Sequence, residues 1–183
     1  MNLQPILQAS YENNPKASEL LSGAGYKLDE SLSRPNAKVF TDSKGRPNIA
    51  FRGSRRWNDW LISDPLIALG LERFDPRYKE AQQLTKQVAD KYGKKVDVFG
   101  HSLGSKVAEL SGTNGHIYTF DKATGINDLF KTIPKNQYDV RTTNDIVSLG
   151  SITQFHPWGN FKEIEKPNQT ILQAHDLSNL SGV

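Results

Sequence analysis

The chain has 183 residues, 36% of them hydrophobic, with four histidines, no cysteine and a formal net charge of +3. Mean hydropathy is −0.59 and the pI is near 9.0, the values of a soluble globular chain with a mildly basic surface. The absence of cysteine excludes disulfides and thiolate metal sites. No apolar run reaches the length of a membrane span. The start, Met1 to Gln8, lacks the basic region and apolar core of a signal peptide, so the expectation is a product cytoplasmic on synthesis, with virion association as a further reading and no nucleic-acid partner. This length predicts one domain spanning 1–183.

Residues 3–12 and 15–22 read as short helices broken by Asn13-Asn14-Pro15. Lys38-Val39-Phe40-Thr41 and Asn48-Ile49-Ala50-Phe51 read as an antiparallel hairpin turned by Asp42-Ser43-Lys44-Gly45. The second strand runs into Arg52-Gly53-Ser54, a loop in which Gly53 lets backbone approach a ligand and Ser54 offers an N–H and a hydroxyl. An ordinary loop with Ser54 as a helix cap reads equally well. Residues 57–71 carry Trp57, Trp60, Leu61, Ile62, Leu66, Ile67, Leu69 and Leu71; they read as core or as a flap over a site. Asp75-Pro76 opens a long helix over 76–93, with Tyr78, Ala81, Leu84 and Val88 on its apolar stripe.

The stretch Val96 to Leu110 is the most informative. Val96, Val98 and Phe99 read as a buried strand, and Val107, Ala108 and Leu110 as one face of a helix. Between them Gly100-His101-Ser102-Leu103-Gly104 fits G-x-S-x-G, the sharp turn that holds a serine in a strained conformation over a helix N-terminus. Taken alone, the pentapeptide also fits a glycine-rich turn with an idle serine. Strands at 116–120 and 138–142, a short helix near 127–133 and an edge strand at 161–166 complete the pattern. Alternating strands and helices predict a mainly parallel sheet with helices on both faces and an antiparallel N-terminal hairpin.

A serine hydroxyl needs a base, and the base needs an acid to orient it. On this architecture the chain order is Ser, acid, His. Three histidines follow Ser102. His116 opens a strand, at the end of the sheet away from the turn. His156 sits in a Pro/Trp/Gly loop, and His175 in a late loop where the base is expected. For the acid, Asp145 has the favoured place after a late strand; Asp121, Asp128, Asp139 and Asp176 compete.

Four stretches together carry a resemblance: Phe51-Arg52-Gly53-Ser54 with Asp59-Trp60-Leu61, then Gly100 to Gly104, then Asn144-Asp145-Ile146-Val147, then His175-Asp176-Leu177. In this order they resemble the class 3 (fungal-type) lipases of the α/β-hydrolase superfamily, over about residues 38–180; short, cysteine-free chains of this kind also resemble class-3-lipase-like proteins of viruses and phages. The resemblance implies Ser102 as nucleophile, Asp145 as acid and His175 as base. It implies an oxyanion hole from Ser54 and the Leu103 N–H, support of the site by Gly53, Asp59, Gly100 and Gly104, and a structural role for His156. It further implies hydrolysis of carboxylic esters of lipids, at a membrane surface or in solution, with no metal and no cofactor. Phospholipid cleavage, acyl transfer and a retired hydrolase acting as a binding or virion protein are the alternatives. Ser105 stands where the family has Gly or Ala, and Glu72-Arg73-Phe74-Asp75-Pro76 replaces its V-H-x-G-F stretch, so the expectation is a short flap at 61–75 in place of a full lid.

Overall fold

The computed structural model describes residues 2–54, 76–166 and 168–181. The stretch read as core or flap, with Asp59, lies outside the described residues.

Among the described residues seven strands form one sheet: β1 (Lys27–Leu28), β2 (Ala37–Thr41), β3 (Pro47–Phe51), β4 (Asp97–His101), β5 (Ile117–Phe120), β6 (Gln137–Thr142) and β7 (Phe161–Ile164). Their order across the sheet is their order in the chain. β1, β2 and β3 pair antiparallel, with Val39 opposite Ile49, and β3 to β7 are all parallel. The helices are α1 (Leu3–Ala9), α2 (Asn14–Gly23), α3 (Pro76–Tyr92), α4 (Leu103–Glu109) and α5 (Ile171–Ala174). Among the described residues no helix is long and apolar enough to cross a membrane.

Strand alternation divides the apolar side chains into two cores. Val39, Ile49, Val98 and Ile117 meet Tyr78, Ala81, Leu84 and Val88 of α3 and Val107 and Ala108 of α4. From the opposite face Phe40, Ala50, Phe99 and Phe120 meet Ile6, Leu7, Ala17 and Leu21 of α1 and α2, with Leu180 of the C-terminal 3-10 turn. Each such side chain, fully buried, contributes roughly 1.5–3 kcal/mol before conformational entropy is charged against it.

Three elements differ from the sequence reading. α1 stops at Ala9, short of residue 12, because the Ser10 hydroxyl donates back to the Leu7 carbonyl and Asn13 turns to cap α2 through the Lys16 N–H. The helix expected near 127–133 is only a 3-10 turn, Ile126–Asp128. Asp128 folds back onto the Gly125 N–H and reaches Lys106, and Phe130 at φ 61 cannot continue a helix. β1 is too short to leave a pattern in the sequence.

Where β5 and β6 face α4, the core is ionic. Lys122 Nζ donates to Glu109 Oε1 at 2.8 Å, Asp139 Oδ2 at 2.9 Å and Gln154 Oε1 at 2.9 Å. Lys106 bridges Glu109 and Asp128, and His156 Nε2 meets Asp139 Oδ2 at 3.1 Å. Lys106, Lys122, Asp128 and Asp139 are all at least 97% buried. Burial alone raises the Glu109 carboxyl; Lys122, Lys106 and Lys131 outweigh it and hold the group well below the usual carboxylate range.

Candidate active site

The parallel strands end at one edge of the sheet, and of the predicted site residues Gly53, Gly100, Ser102, Leu103, Gly104, Asp145 and His175 lie there. β4 turns through Ser102 into α4. Ser102 has φ 56 and ψ −128, a conformation that strains any residue with a Cβ. The flanking glycines are dictated by contact. A Cβ on Gly100 would lie 2.3 Å from the Gly104 carbonyl oxygen, and one on Gly104 would lie 2.3 Å from that of Phe51. Ser105 fits at the helix start because its hydroxyl donates to the Phe120 carbonyl at 3.4 Å. The motif therefore makes a strained strand-to-helix turn, with Leu103 as the first residue of α4.

His175 and Asp145 come together although they are far apart in sequence. His175 Nδ1 lies 3.0 Å from Asp145 Oδ1, and both side chains are wholly buried. Asp145 also accepts from the Val147 N–H at 3.1 Å and the Ser148 N–H at 3.2 Å, which fixes its orientation. Burial raises the Asp145 carboxyl, but the His175 hydrogen bond and these donors outweigh it and keep the group ionised below its ordinary range. The His175 ring packs against that of His101, the residue before Ser102, with centroids 4.8 Å apart. Ser102 Oγ is buried and makes no hydrogen bond to a described residue.

A hydrogen-bond chain that sequence reasoning missed ties this edge together. The Gly53 N–H donates to the Tyr11 oxygen at 3.1 Å. That leaves the Tyr11 proton for His101 Nδ1, 2.8 Å away, and His101 Nε2–H donates to the His175 carbonyl at 3.1 Å. Burial, then repulsion from His175, lowers the His101 pKa to about 3, so the ring stays neutral and keeps the tautomer this chain requires. Burial raises the Tyr11 hydroxyl above its ordinary value, so it too stays protonated. A Cβ on Gly53 would sit 2.6 Å from the Tyr11 oxygen, which is why this position is glycine. Tyr11 follows α1 without any motif; only the contact distinguishes it.

The competing residues are elsewhere or otherwise engaged. His116 pairs with Asp97 at the opposite edge. His156 is tied at both ring nitrogens, to the Gln154 carbonyl and to Asp139. Asp128 and Asp139 belong to the ionic core, and Asp176 caps the 3-10 turn Leu177–Leu180 through the Ser178 N–H. Asp121 alone of the competitors lies at the site: with His101 and His175 it forms the one group among the described residues whose ligand atoms, all within 4.8 Å of one another, could gather about a metal ion. Both His101 nitrogens and His175 Nδ1 are already committed to protein partners, a poor donor set for a cation.

Beside the site the surface is apolar. Ile126, Leu129, Phe130, Leu149, Ile152 and Phe155 are exposed, Phe130 to 81%. They sit on the loops after β5 and β6, which are joined by the Thr124–Val147 and Ile133–Phe155 backbone bonds; the first of the two begins with the Ala123 N–H on the Ser102 carbonyl. An open cavity of about 640 Å³ lies against the same loops, lined by Asp145, Ile146, Leu149, Gln169 and Thr170 among others.

No protein-family model matches the sequence, and no curated protein matches it either. Among solved structures the chain is similar to the crystal structure of Lip2 lipase from Yarrowia lipolytica, at 16% identity and a TM-score of 0.55, over 96% of this chain and 81% of that one. With the sheet and helices described above, this likeness gives the chain the α/β-hydrolase fold.

Proposed function

We propose that the protein is a serine hydrolase acting on carboxylic esters of lipids. The observation that carries this reading is the conjunction at one sheet edge of a strained Ser102 and a buried His175–Asp145 pair. Ser102 Oγ attacks the ester carbonyl carbon. Its proton passes to His175, and the carbonyl electron pair moves onto the oxygen. Asp145 holds the ring through Nδ1 and stabilises the charge His175 gains. The Leu103 N–H at the helix start and the Ser54 N–H and hydroxyl receive the oxyanion, each such donor being worth about 2.7–4 kcal/mol in comparable sites. The alcohol leaves with the proton from His175, and water then cleaves the acyl-enzyme with the same base. Hydrogen bonds of this type tighten when substrate binds, consistent with the lone Ser102 Oγ here.

The apolar rim around Phe130 favours a water-insoluble ester, and the basic balance of the chain suits an anionic membrane as its source. The lipase title of the structural neighbour agrees with ester chemistry. The test is hydrolysis of p-nitrophenyl esters from acetate to palmitate and of phospholipid vesicles, with fluorophosphonate labelling of the wild type and Ser102→Ala. Turnover and labelling that vanish in the variant, with folding intact, are expected. Unchanged turnover would overturn the reading, and a wild type that neither turns over nor labels would leave the binding-protein alternative in its place.

A further inference from the structure

The ionic core matches each of its buried lysines with carboxylates, Lys106 with Glu109 and Asp128, Lys122 with Glu109 and Asp139. A third buried lysine has no such match. Lys38 of β2 is only 2% exposed. Its Nζ donates to the Asn14 side-chain oxygen and to the Arg34 carbonyl, each at 3.0 Å. Both acceptors are uncharged, and among the described residues no carboxylate pairs with it. An ammonium carries three N–H donors, so one is left over. Burial first, then the nearby charge of Arg52, lower the pKa of Lys38, as expected of a cation short of a counter-charge.

An open cavity of about 310 Å³ lies against this lysine, walled by the α1–α2 turn from Glu12 to Asn14 and by the β1–β2 loop from Ser33 to Pro35. Asn13 and Asn14 open α2, a helix of ten residues, so the positive end of its dipole adds to the lysine charge. Glu12 is the one acid in the lining, and it is already paired with Lys16 at 3.2 Å. Arg52 approaches from the next strand, with its Nη1 on the Pro35 carbonyl at 3.1 Å. The cavity thus borders the loop Arg52-Gly53-Ser54, since Lys38 stands opposite Ala50 in the sheet. A glutamine amide has two N–H groups and could serve the two acceptors of Lys38, so joining α2 to the β1–β2 loop does not by itself call for a charge. Removing an ammonium from water without a partner is costly, and an anion in the cavity would offset that cost.

We propose that this cavity is an anion site in which Lys38 receives the phosphate group of a ligand. The lysine supplies a point charge and a spare donor, and the carboxamides of Asn13 and Asn14 supply neutral donors beside it. Such a set suits a tetrahedral phosphate; a planar carboxylate is better matched by the fork of an arginine. The phosphate belongs to a lipid head group or to a small phosphorylated molecule. Binding makes and breaks no covalent bond, and it does not depend on the hydrolase reading above.

The experiment titrates inorganic phosphate and glycerol 3-phosphate into the wild type, Lys38→Met, Lys38→Gln and Glu12→Gln, with acetate and chloride at matched ionic strength as controls. Calorimetry and thermal melting are the readouts. Both phosphates are expected to bind the wild type with Kd of about 1 mM or below, and to raise its melting temperature by about 3 °C or more at ten times Kd. Either Lys38 variant should weaken binding by about tenfold or more. Glu12→Gln should tighten it by about twofold or more, because a competing anion is gone. Phosphate that stabilises the wild type no more than chloride, or binds no better than acetate, would overturn the inference. So would an affinity that survives both Lys38 variants. If neither Lys38 variant folds, Glu12→Gln decides, and an unchanged affinity there overturns the proposal. Co-sedimentation with phosphatidylglycerol vesicles then separates the two sources. Vesicle binding that needs Lys38 and is displaced by inorganic phosphate assigns a lipid head group; phosphate binding with no Lys38-dependent vesicle binding assigns a small phosphorylated ligand. Failure of phosphate binding beside intact ester hydrolysis would leave the hydrolase reading standing, and the reverse result would leave the anion site standing.

Discussion

Among the described residues two histidine–aspartate pairs have nearly equal distances, a wholly buried His175–Asp145 at 3.0 Å and a part-buried His156–Asp139 at 3.1 Å. What separates them is the company each keeps. Asp139 also accepts from Lys122, Thr119 and Gln137, and His156 is tied at both nitrogens, so that pair is one part of an ionic core. Asp145 is held by two backbone N–H groups, and its histidine packs on the residue beside Ser102. A His–Asp contact is thus no sign of catalysis by itself. His156 stands beside no nucleophile among the described residues, and both its nitrogens are engaged.

The largest effect that would break this comparison is on turnover. His175→Ala is expected to reduce kcat by about 10⁴-fold or more, whereas His156→Ala should leave kcat within about threefold and destabilise the fold by about 1–3 kcal/mol through the carboxylate it leaves short of a partner. Steady-state kinetics beside urea unfolding checks both, and equal losses of activity would refute the distinction. A middle-sized effect falls on the chain that orients the His175 backbone. Tyr11→Phe removes the acceptor of the Gly53 N–H and the donor to His101, and kcat is expected to fall about tenfold with KM little changed. A change in KM alone would instead place Tyr11 in substrate binding.

The smallest effect is on acid stability, where the two regions act in different windows. Glu109 is depressed in the fold, so its contribution is complete above the ordinary carboxylate range near 4.5 and is lost as pH falls through its folded value. His101 is depressed to about 3, so between its ordinary value near 6.5 and that point the unfolded chain binds the extra proton and stability falls with falling pH. Asp121, whose carboxyl burial and the Asp145 charge raise well above its ordinary range, works in the opposite sense, so the comparison is made in an Asp121→Asn variant, where urea midpoints should decline gently from about pH 6.5 and more steeply below about 4.5. A midpoint flat from pH 7 to 5 would show that His101 does not stay neutral as described.

Much of this was legible in the residues. The apolar stripe of Tyr78, Ala81, Leu84 and Val88 marks α3, and Gly100 to Gly104 marks the turn because backbone packs where their side chains would be. His175 and Asp145 were legible only through chain order, a rule about architecture. Tyr11 was not, since its place depends on a contact between distant elements and it sits in no pattern. The ionic core was hidden for a different reason. Lys106 and Glu109 sit in a helix whose charges would ordinarily face water, and partners from later strands and loops, Lys122, Asp128, Lys131 and Gln137, hold them inside.

Because strand order equals chain order, each strand pairs with the one made just before it. Every pairing can therefore form as the chain is synthesised, without waiting for a distant segment, which keeps loop-closure entropy low and limits the time an open strand edge is exposed. The order has a second effect in time. The serine turn is complete once β4, α4 and the start of β5 exist, but His175 lies beyond the last strand. On the hydrolase reading proposed above, a growing chain carries Ser102 on a nearly finished scaffold while still lacking His175, its proposed base, so that reactivity would arrive last, when the fold is ready to confine it.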